Sequence, residues 1–287
     1  MRSLFYLVPA VVLLAVAACD YEPDSSLLIH DEPAAAGPEA SRFDPDKCGT
    51  VVGRVVWSGP LPVTPPFIYG VPNADHSFTM QTIPNPNRPA IDETSRAMAG
   101  VVVFLRGVNP AAAKPWDLPP IRIEMKDRGI AVIQGEREGR VGFVRRGDSA
   151  TMVSVEPAYH VLRVRGAANF SLAFPDENQP LTRAFNKPGR VELSSGAGYY
   201  WASADLFVVE HPYYAVTDRE GRFRFDQVPA GPVEVSAWLP GWEAIQRDRE
   251  PETGLISRQW YSAPLERSSS VEVKTESVAE ASFTFRK

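Results

Sequence analysis

Apolar and polar residues alternate with a period of two along most of the chain after residue 48, the pattern of strands with one face on a core and one in water. The pattern predicts strands at 49–57, 99–107, 121–133, 139–148, 150–166, 168–174, 189–195, 205–211, 213–218, 221–228, 232–238, 271–276 and 280–286. One of them departs from alternation. Val101-Val102-Val103-Phe104-Leu105 is continuously apolar, which suits a central strand covered on both faces. No helical stripe runs for ten residues; only Trp242 to Arg249 is expected to make a turn or two of helix.

Two stretches, 59–98 and 240–265, break the pattern. The first carries Pro60, Pro62, Pro65, Pro66, Pro72, Pro84, Pro86 and Pro89. Coil of such length inside a compact domain is uncommon and often functional. Coil packed along a sandwich edge is the plainer expectation. At the other extreme of hydropathy, Leu4 to Ala18 is apolar. It is too short for a bilayer span, which needs roughly 20 residues, but matches a signal-peptide core. From Asp20 to Lys47 the chain is rich in Asp, Glu, Pro, Ala and Ser. It holds too little apolar surface to offset the entropy of ordering and is expected to be a disordered stalk. As a flexible coil it spans roughly 30 Å, with an extended limit of about 90 Å.

Composition adds turns and subtracts partners. With 27 Pro and 20 Gly in 287 residues, an all-β chain with many turns is expected. The formal charge is −5, and no Lys/Arg stripe is present, so neither nucleic acid nor an anionic membrane surface is an expected partner. Cysteine is used twice, at Cys19 and Cys48. If Cys19 is modified, no disulfide framework remains, and Cys48 is either a buried thiol or a reactive one.

The small residues Val16-Ala17-Ala18 before Cys19 resemble the lipobox of bacterial lipoproteins. That resemblance implies cleavage after residue 18 and acylation of Cys19; an ordinary secretory signal is the alternative. Asp20 resembles an inner-membrane retention signal of some Gram-negative bacteria. The expected location is the cell envelope, membrane-anchored and facing periplasm or exterior.

The run YYAVTDREGRFRFDQVPAGPVEVSAW at 213–238 places Asp218 and Gly221 around a tight turn and Phe223 and Phe225 on one strand face. It resembles carboxypeptidase regulatory-like (prealbumin-type) domains, with Val233 near the family's usual Tyr. Those domains open on a G-x-V-x-G-x-V strand, matched here by 49–55. The resemblance implies a sandwich from 48–113 plus 212–287, with a second module inserted. Insertion costs little closure entropy. Residues 116–211 are similar to the cupredoxin-like region of planctomycete-type exported proteins related to "methylamine utilization protein-like" proteins. The matching pieces are GFVRRGD, EPAYHVLRVRG, NKPGRVELSS and GYYWASADLFVVEH. The expected fold is all-β, a cupredoxin-like Greek-key sandwich inserted in a carboxypeptidase regulatory-like one.

In copper-bearing relatives a His stands at the place of His160, and a Cys-x-x-His-x-x-Met cluster follows. Laid back from His211, that cluster falls on Gly196, Tyr199 and Ala202. Two imidazoles and a thiolate are needed for a blue-copper site, so copper is not expected. His160 is the weak metal candidate that remains, more plainly a satisfied His at a strand end. His211 is expected to mark the junction between modules, with His76 in the long loop and His30 in the stalk.

No nucleophile elbow, P-loop or dinucleotide fingerprint occurs, and no catalytic residue or cofactor is expected. Aromatic rings are the better lead: Tyr199, Tyr200, Trp201, Trp238 and Trp242 are candidate contacts for a sugar or protein partner. Their plainer reading is core. Pro240-Gly241 between two indoles makes Trp238 and Trp242 the expected exposed pair. The function expected is a non-catalytic envelope scaffold binding a protein or polysaccharide. The alternatives are a copper electron-transfer protein and a carbohydrate-binding module.

Overall fold

The computed structural model describes residues 42–287, apart from 73, 74, 76, 253 and 255. The expected signal segment 1–18, Cys19, Asp20, His30, most of the stalk and His76 lie outside the described residues. The described chain is all-β, with no α-helix and one 3-10 turn at Pro45–Lys47.

The first stretch holds β1 (Cys48–Trp57), β2 (Phe67–Pro72), β3 (Phe78–Ile83), β4 (Ala90–Ile91), β5 (Met98–Ala99) and β6 (Val102–Arg106). Next come β7 (Ile121–Lys126), β8 (Gly129–Gln134), β9 (Arg137–Gly139), β10 (Val141–Arg145) and β11 (Ser149–Ser154). They are followed by β12 (His160–Gly166), β13 (Phe170–Phe174), β14 (Leu181–Ala184), β15 (Gly189–Ser195) and β16 (Ser203–Val209). The chain ends with β17 (Tyr214–Val216), β18 (Arg222–Pro229), β19 (Gly231–Leu239), β20 (Ala244–Arg249), β21 (Ile256–Tyr261), β22 (Leu265–Val273), β23 (Val278–Glu280) and β24 (Phe283–Phe285).

One sandwich is made by the sheet β18-β1-β23, with β24 also on β1, facing the sheet β17-β6-β19-β22. Its core includes Val51, Val55, Leu105, Phe223, Phe225, Val235 and Phe285. The second sandwich pairs β10-β16-β15-β12-β13 with β14-β11-β7-β8-β9 over Ile123, Val132, Met152, Leu162, Leu193 and Leu206. Each fully buried side chain of this size contributes about 1.5–3 kcal/mol.

Small residues in β1 have a steric cause. The closing strands β23 and β24 run parallel to it, and Ala281 N donates to Val52 O at 2.9 Å. A Cβ on Gly53 would stand 1.7 Å from Ala281 O, and one on Gly49 2.4 Å from Lys274 O. The Asp218 turn forms as its residues dictate: Gly221 adopts φ 74°, and Asp218 Oδ1 accepts from Arg222 N at 2.7 Å.

The apolar run 101–105 is central, as expected, because two cores claim it. Val101, Val103 and Leu105 enter the first core; Val102 and Phe104 join Tyr214 and Trp238 against Phe143, Phe207 and Val209 of the second sandwich. A third apolar cluster thereby joins the two bodies. His211 stands at this junction, 5.3 Å from the Tyr214 ring.

Several expectations are corrected. The run 121–133 is a hairpin, β7–β8, turned by Asp127 and Arg128 at φ 51° and 55°. The run 139–148 is divided between β9 and β10, which lie in different sheets, and 150–166 between β11 and β12. Neither 59–98 nor 240–265 is plain coil. Each holds a two-stranded arm, β2–β3 and β20–β21, and 244–249 is strand where a helical turn was expected. Both arms reach the second sandwich: Phe67 is inside its core and Tyr261 packs on it.

Trp238 and Trp242 are not exposed; they are 2% and 3% accessible. Trp238 points away from the first core but onto Phe207, and Trp242 packs edge-on to Trp57 at 5.9 Å. The Pro240-Gly241 turn between them is itself pressed against the backbone of Ser262, 1.7 Å from where a Gly241 Cβ would stand. Trp238 follows Val235 and Ala237 of the first core onto the outer face of β19, but that face is covered.

Candidate functional site

His160 opens β12 with its side chain 3% accessible, and its Nε2 donates to Glu156 Oε1 at 2.7 Å. Two more donors hold the same carboxylate. Asp127 N reaches Oε2 at 3.0 Å and Arg128 N reaches Oε1 at 3.3 Å. The left-handed pair in the β7–β8 turn aims both amides at it, the geometry of a two-residue hairpin. The Nε2 of His160 is therefore engaged by a carboxylate that two backbone amides also hold.

Above it the loop 196–202 stacks aromatic rings. Tyr199 lies 5.6 Å from the His160 ring and 5.7 Å from Trp201, which in turn touches Tyr200 at 5.1 Å. Trp201 is 5% accessible and donates Nε1 to Arg128 O at 3.0 Å. The arms complete the cover. Tyr69 of β2 lies 4.4 Å from Trp201, and Phe67 packs on Tyr200 at 5.7 Å and Tyr261 at 6.4 Å. Arg247 of β20 sits 5.9 Å from both the Phe67 and Tyr200 rings. Burial pushes the Tyr261 phenol up to about 12, and raises Tyr200 against the pull of Arg247 and Arg249.

A clamp fixes the arms' roots. Arg140 donates Nε to Ser203 O at 2.6 Å, Nη2 to Ser203 Oγ at 2.6 Å, and Nη1 to Asn87 Oδ1 at 2.9 Å and to Pro86 O. Asn85 and Asn87 pass the connection on, each donating Nδ2 at 2.7 Å, to Trp242 O and Gly241 O. Burial draws the Arg140 pKa down, with Asp205 opposing.

The three positions that the resemblance sets against a copper ligand cluster hold Gly196, Tyr199 and Ala202. A Cβ at 196 would lie 2.8 Å from Val161 Cγ1 and 2.9 Å from Arg163 Nε, so the position lacks both the donor and the room for one. Tyr199 is spent on ring packing, and His160 Nε2 on Glu156. Among the described residues no three His, Cys, Asp or Glu side chains group to hold a metal. Cys48 is remote from this end: its buried Sγ donates to Asp44 O at 3.2 Å, and burial raises its pKa.

Of the residues singled out from the sequence, His160, Tyr199, Tyr200 and Trp201 come together here. Trp238 lies at the junction and Trp242 in the first core. Sequence reasoning missed Glu156, Arg140, Phe67, Tyr69 and Tyr261. The one signal for the arm was the i, i+2 spacing of Phe67 and Tyr69 within a Pro-rich stretch.

No known family model matches the chain, and no well-characterised protein matches it in sequence. Among solved structures, a Cu(I) amicyanin variant is similar at 17% identity over 31% of this chain and 82% of its own, with a TM-score of 0.25. A reduced amicyanin variant is similar at 14% identity over 37% of this chain and 98% of its own, again at 0.25. The copper-containing nitrite reductase of Thermus scotoductus SA-01 is similar at 14% identity over 37% of this chain and 25% of its own, at 0.27. Likeness at this level says nothing of activity.

Proposed function

We propose that this chain is a non-catalytic scaffold of the cell envelope, in which a cupredoxin-like sandwich has its metal end converted to packed side chains. The observation that carries the reading is the bond from His160 Nε2 to Glu156 Oε1 beneath Tyr199 and Trp201. A redox copper site needs two imidazoles and a thiolate; here one imidazole is present, its Nε2 bonded to Glu156, and positions 196, 199 and 202 bring neither a second imidazole nor a thiolate. The welded junction of the two sandwiches supports a rigid spacer or docking role over a moving enzyme. In this reading residues 1–18 direct export, Cys19 is acylated, and 20–47 hold the folded body off the membrane, within reach of an envelope protein or polysaccharide. A sugar platform on Trp238 and Trp242 loses its support, since both indoles are buried.

The test is to purify the full-length chain in non-ionic detergent, titrate Cu(II) and Cu(I), and measure bound metal and the visible spectrum. No stoichiometric copper and no thiolate-to-copper absorption are expected. One tightly bound copper that disappears on His160→Ala would overturn the reading and make the protein a copper carrier.

A further inference from the structure

The outer face of the second sandwich carries more positive charge than its neighbours neutralise. Arg165 and Arg163 of β12 stand opposite Glu192 and Ser194 of β15 in the strand register, side by side on one face. The β20–β21 arm lowers Arg258 onto that face. Its Nη2 donates to both Glu192 oxygens, at 3.3 and 3.4 Å, while its guanidinium stacks 3.5 Å from the centre of the Trp260 ring. Arg165 Nη1 donates to Ser194 Oγ at 3.3 Å. The Arg163 guanidinium has no hydrogen bond or ion pair among the described residues, and Arg258 Nε is enclosed without a hydrogen-bond partner.

Arg165 and Arg258 thus share the Glu192 carboxylate, Arg163 stands beside Arg165, and all three are half-buried; the Asp205 carboxylate across from Glu192 is taken by Arg190 at 2.8 Å. The next acid that Arg258 acts on, Asp248, already accepts from Trp260 Nε1 at 2.7 Å and Gln246 Nε2 at 2.9 Å. Repulsion is felt within the group: besides burial, Arg258 and Arg163 both draw the Arg165 pKa down, with Glu192 opposing. Like charges at neighbouring sheet positions destabilise a fold, and partial burial sharpens the cost. A bound anion removes it. Guanidinium forks match the paired oxygens of carboxylate, sulfate and phosphate.

We infer that Arg163, Arg165, Arg258 and Ser194 form an oxyanion-binding site, taking one carboxylate, sulfate or phosphate group. The group is either a free inorganic anion or the acidic substituent of an envelope glycan; the second source rests on the scaffold reading above. The site uses neither His160 nor its packing, so copper and anion titrations fail or succeed independently.

The full-length chain in non-ionic detergent at low ionic strength is titrated with sodium sulfate, inorganic phosphate, galacturonate and oligogalacturonate, reading heat release and the unfolding midpoint. Saturable binding of at least one is expected. Arg163→Gln and Arg165→Gln each weaken it about tenfold, the loss of one charge-assisted hydrogen bond. Arg183→Gln, on the exposed edge strand β14, leaves it unchanged. Arg163 has no partner to lose, so Arg163→Gln is also expected to raise the ligand-free unfolding midpoint at low salt. Tightest binding of sulfate or phosphate identifies the free anion as ligand; oligogalacturonate binding tighter than galacturonate identifies a glycan. No saturable binding, or equal binding by the Arg163 and Arg165 variants, overturns the inference.

Discussion

Trp238 of β19 meets Phe207 of β16 edge-on, with ring centroids 5.4 Å apart and planes at 79°. Arg190, paired with Asp205 at 2.8 Å, lies 5.2 Å from the same indole. The pair belongs to the apolar cluster that joins the two sandwiches, so its removal opens a seam as well as a cavity. Trp238→Ala is expected to cost about 3–5 kcal/mol and to split a single urea transition into two. A loss below about 1 kcal/mol with one transition retained would contradict a welded junction.

Gly53 tests the crossing of β1 by the closing strands. With Ala281 O 1.7 Å from the place of a Cβ, Gly53→Ala has no room without parting β1 from its parallel neighbour. A loss of about 4 kcal/mol or more, or failure to fold, is expected. Gly59→Ala serves as control: that residue has φ 97° but nothing within 4 Å, so only backbone strain of about 1 kcal/mol is added. Chemical denaturation of the two variants separates the causes, and equal losses would rule out the steric one.

His211 makes stability depend on pH. Its Nδ1 accepts from Tyr213 N at 3.4 Å, and burial takes its pKa from the usual 6.5 down to about 4. The unfolded chain therefore gains a proton before the folded one does. Stability from this residue is complete above about pH 6.5 and is lost as pH falls towards 4, by about 3 kcal/mol in all. Urea midpoints of wild type and His211→Gln, measured from pH 7.5 to 4, are expected to converge as pH falls. Parallel curves would show that His211 does not titrate in this way.

Arg140 holds the arm roots to the second sandwich through Ser203, Asn87 and Pro86. Arg140→Met leaves those acceptors buried without their donor, and a loss of about 3 kcal/mol is expected. Limited proteolysis should then cut within 59–98 at a rate well above wild type. Arg140→Lys rescues only in part, because an ammonium cannot serve the planar set of acceptors. Unchanged cleavage in Arg140→Met would mean the arms are held elsewhere.

The sequence spoke most clearly where one core alone decides a side chain's environment. Alternation in β18 and the doubly apolar β6 were legible for that reason, as was the Asp218–Gly221 turn, whose conformation is local. It was silent where one sandwich covers the other. The outer-face position of Trp238 was readable from its period in β19, but its burial follows from β16, which no local pattern announces. The arms were missed for a related reason: β2–β3 has no sheet of its own to join, and Phe67 finds its core in a distant segment. Of the site, His160 and the 199–201 rings stood out, whereas Glu156 looked like one more loop carboxylate. Only the folding of the β7–β8 turn over it shows that it holds the imidazole.

In the proposed reading His160 supports Glu156 and binds no metal, and the unfolding midpoints of wild type and His160→Leu, each with and without one equivalent of Cu(II), decide it. The variant is expected to lose about 1–3 kcal/mol, the worth of a hydrogen bond to a charged group, and copper is expected to move neither midpoint. A midpoint raised by copper in wild type but not in His160→Leu would overturn the reading, because a ligand stabilises only the fold that binds it.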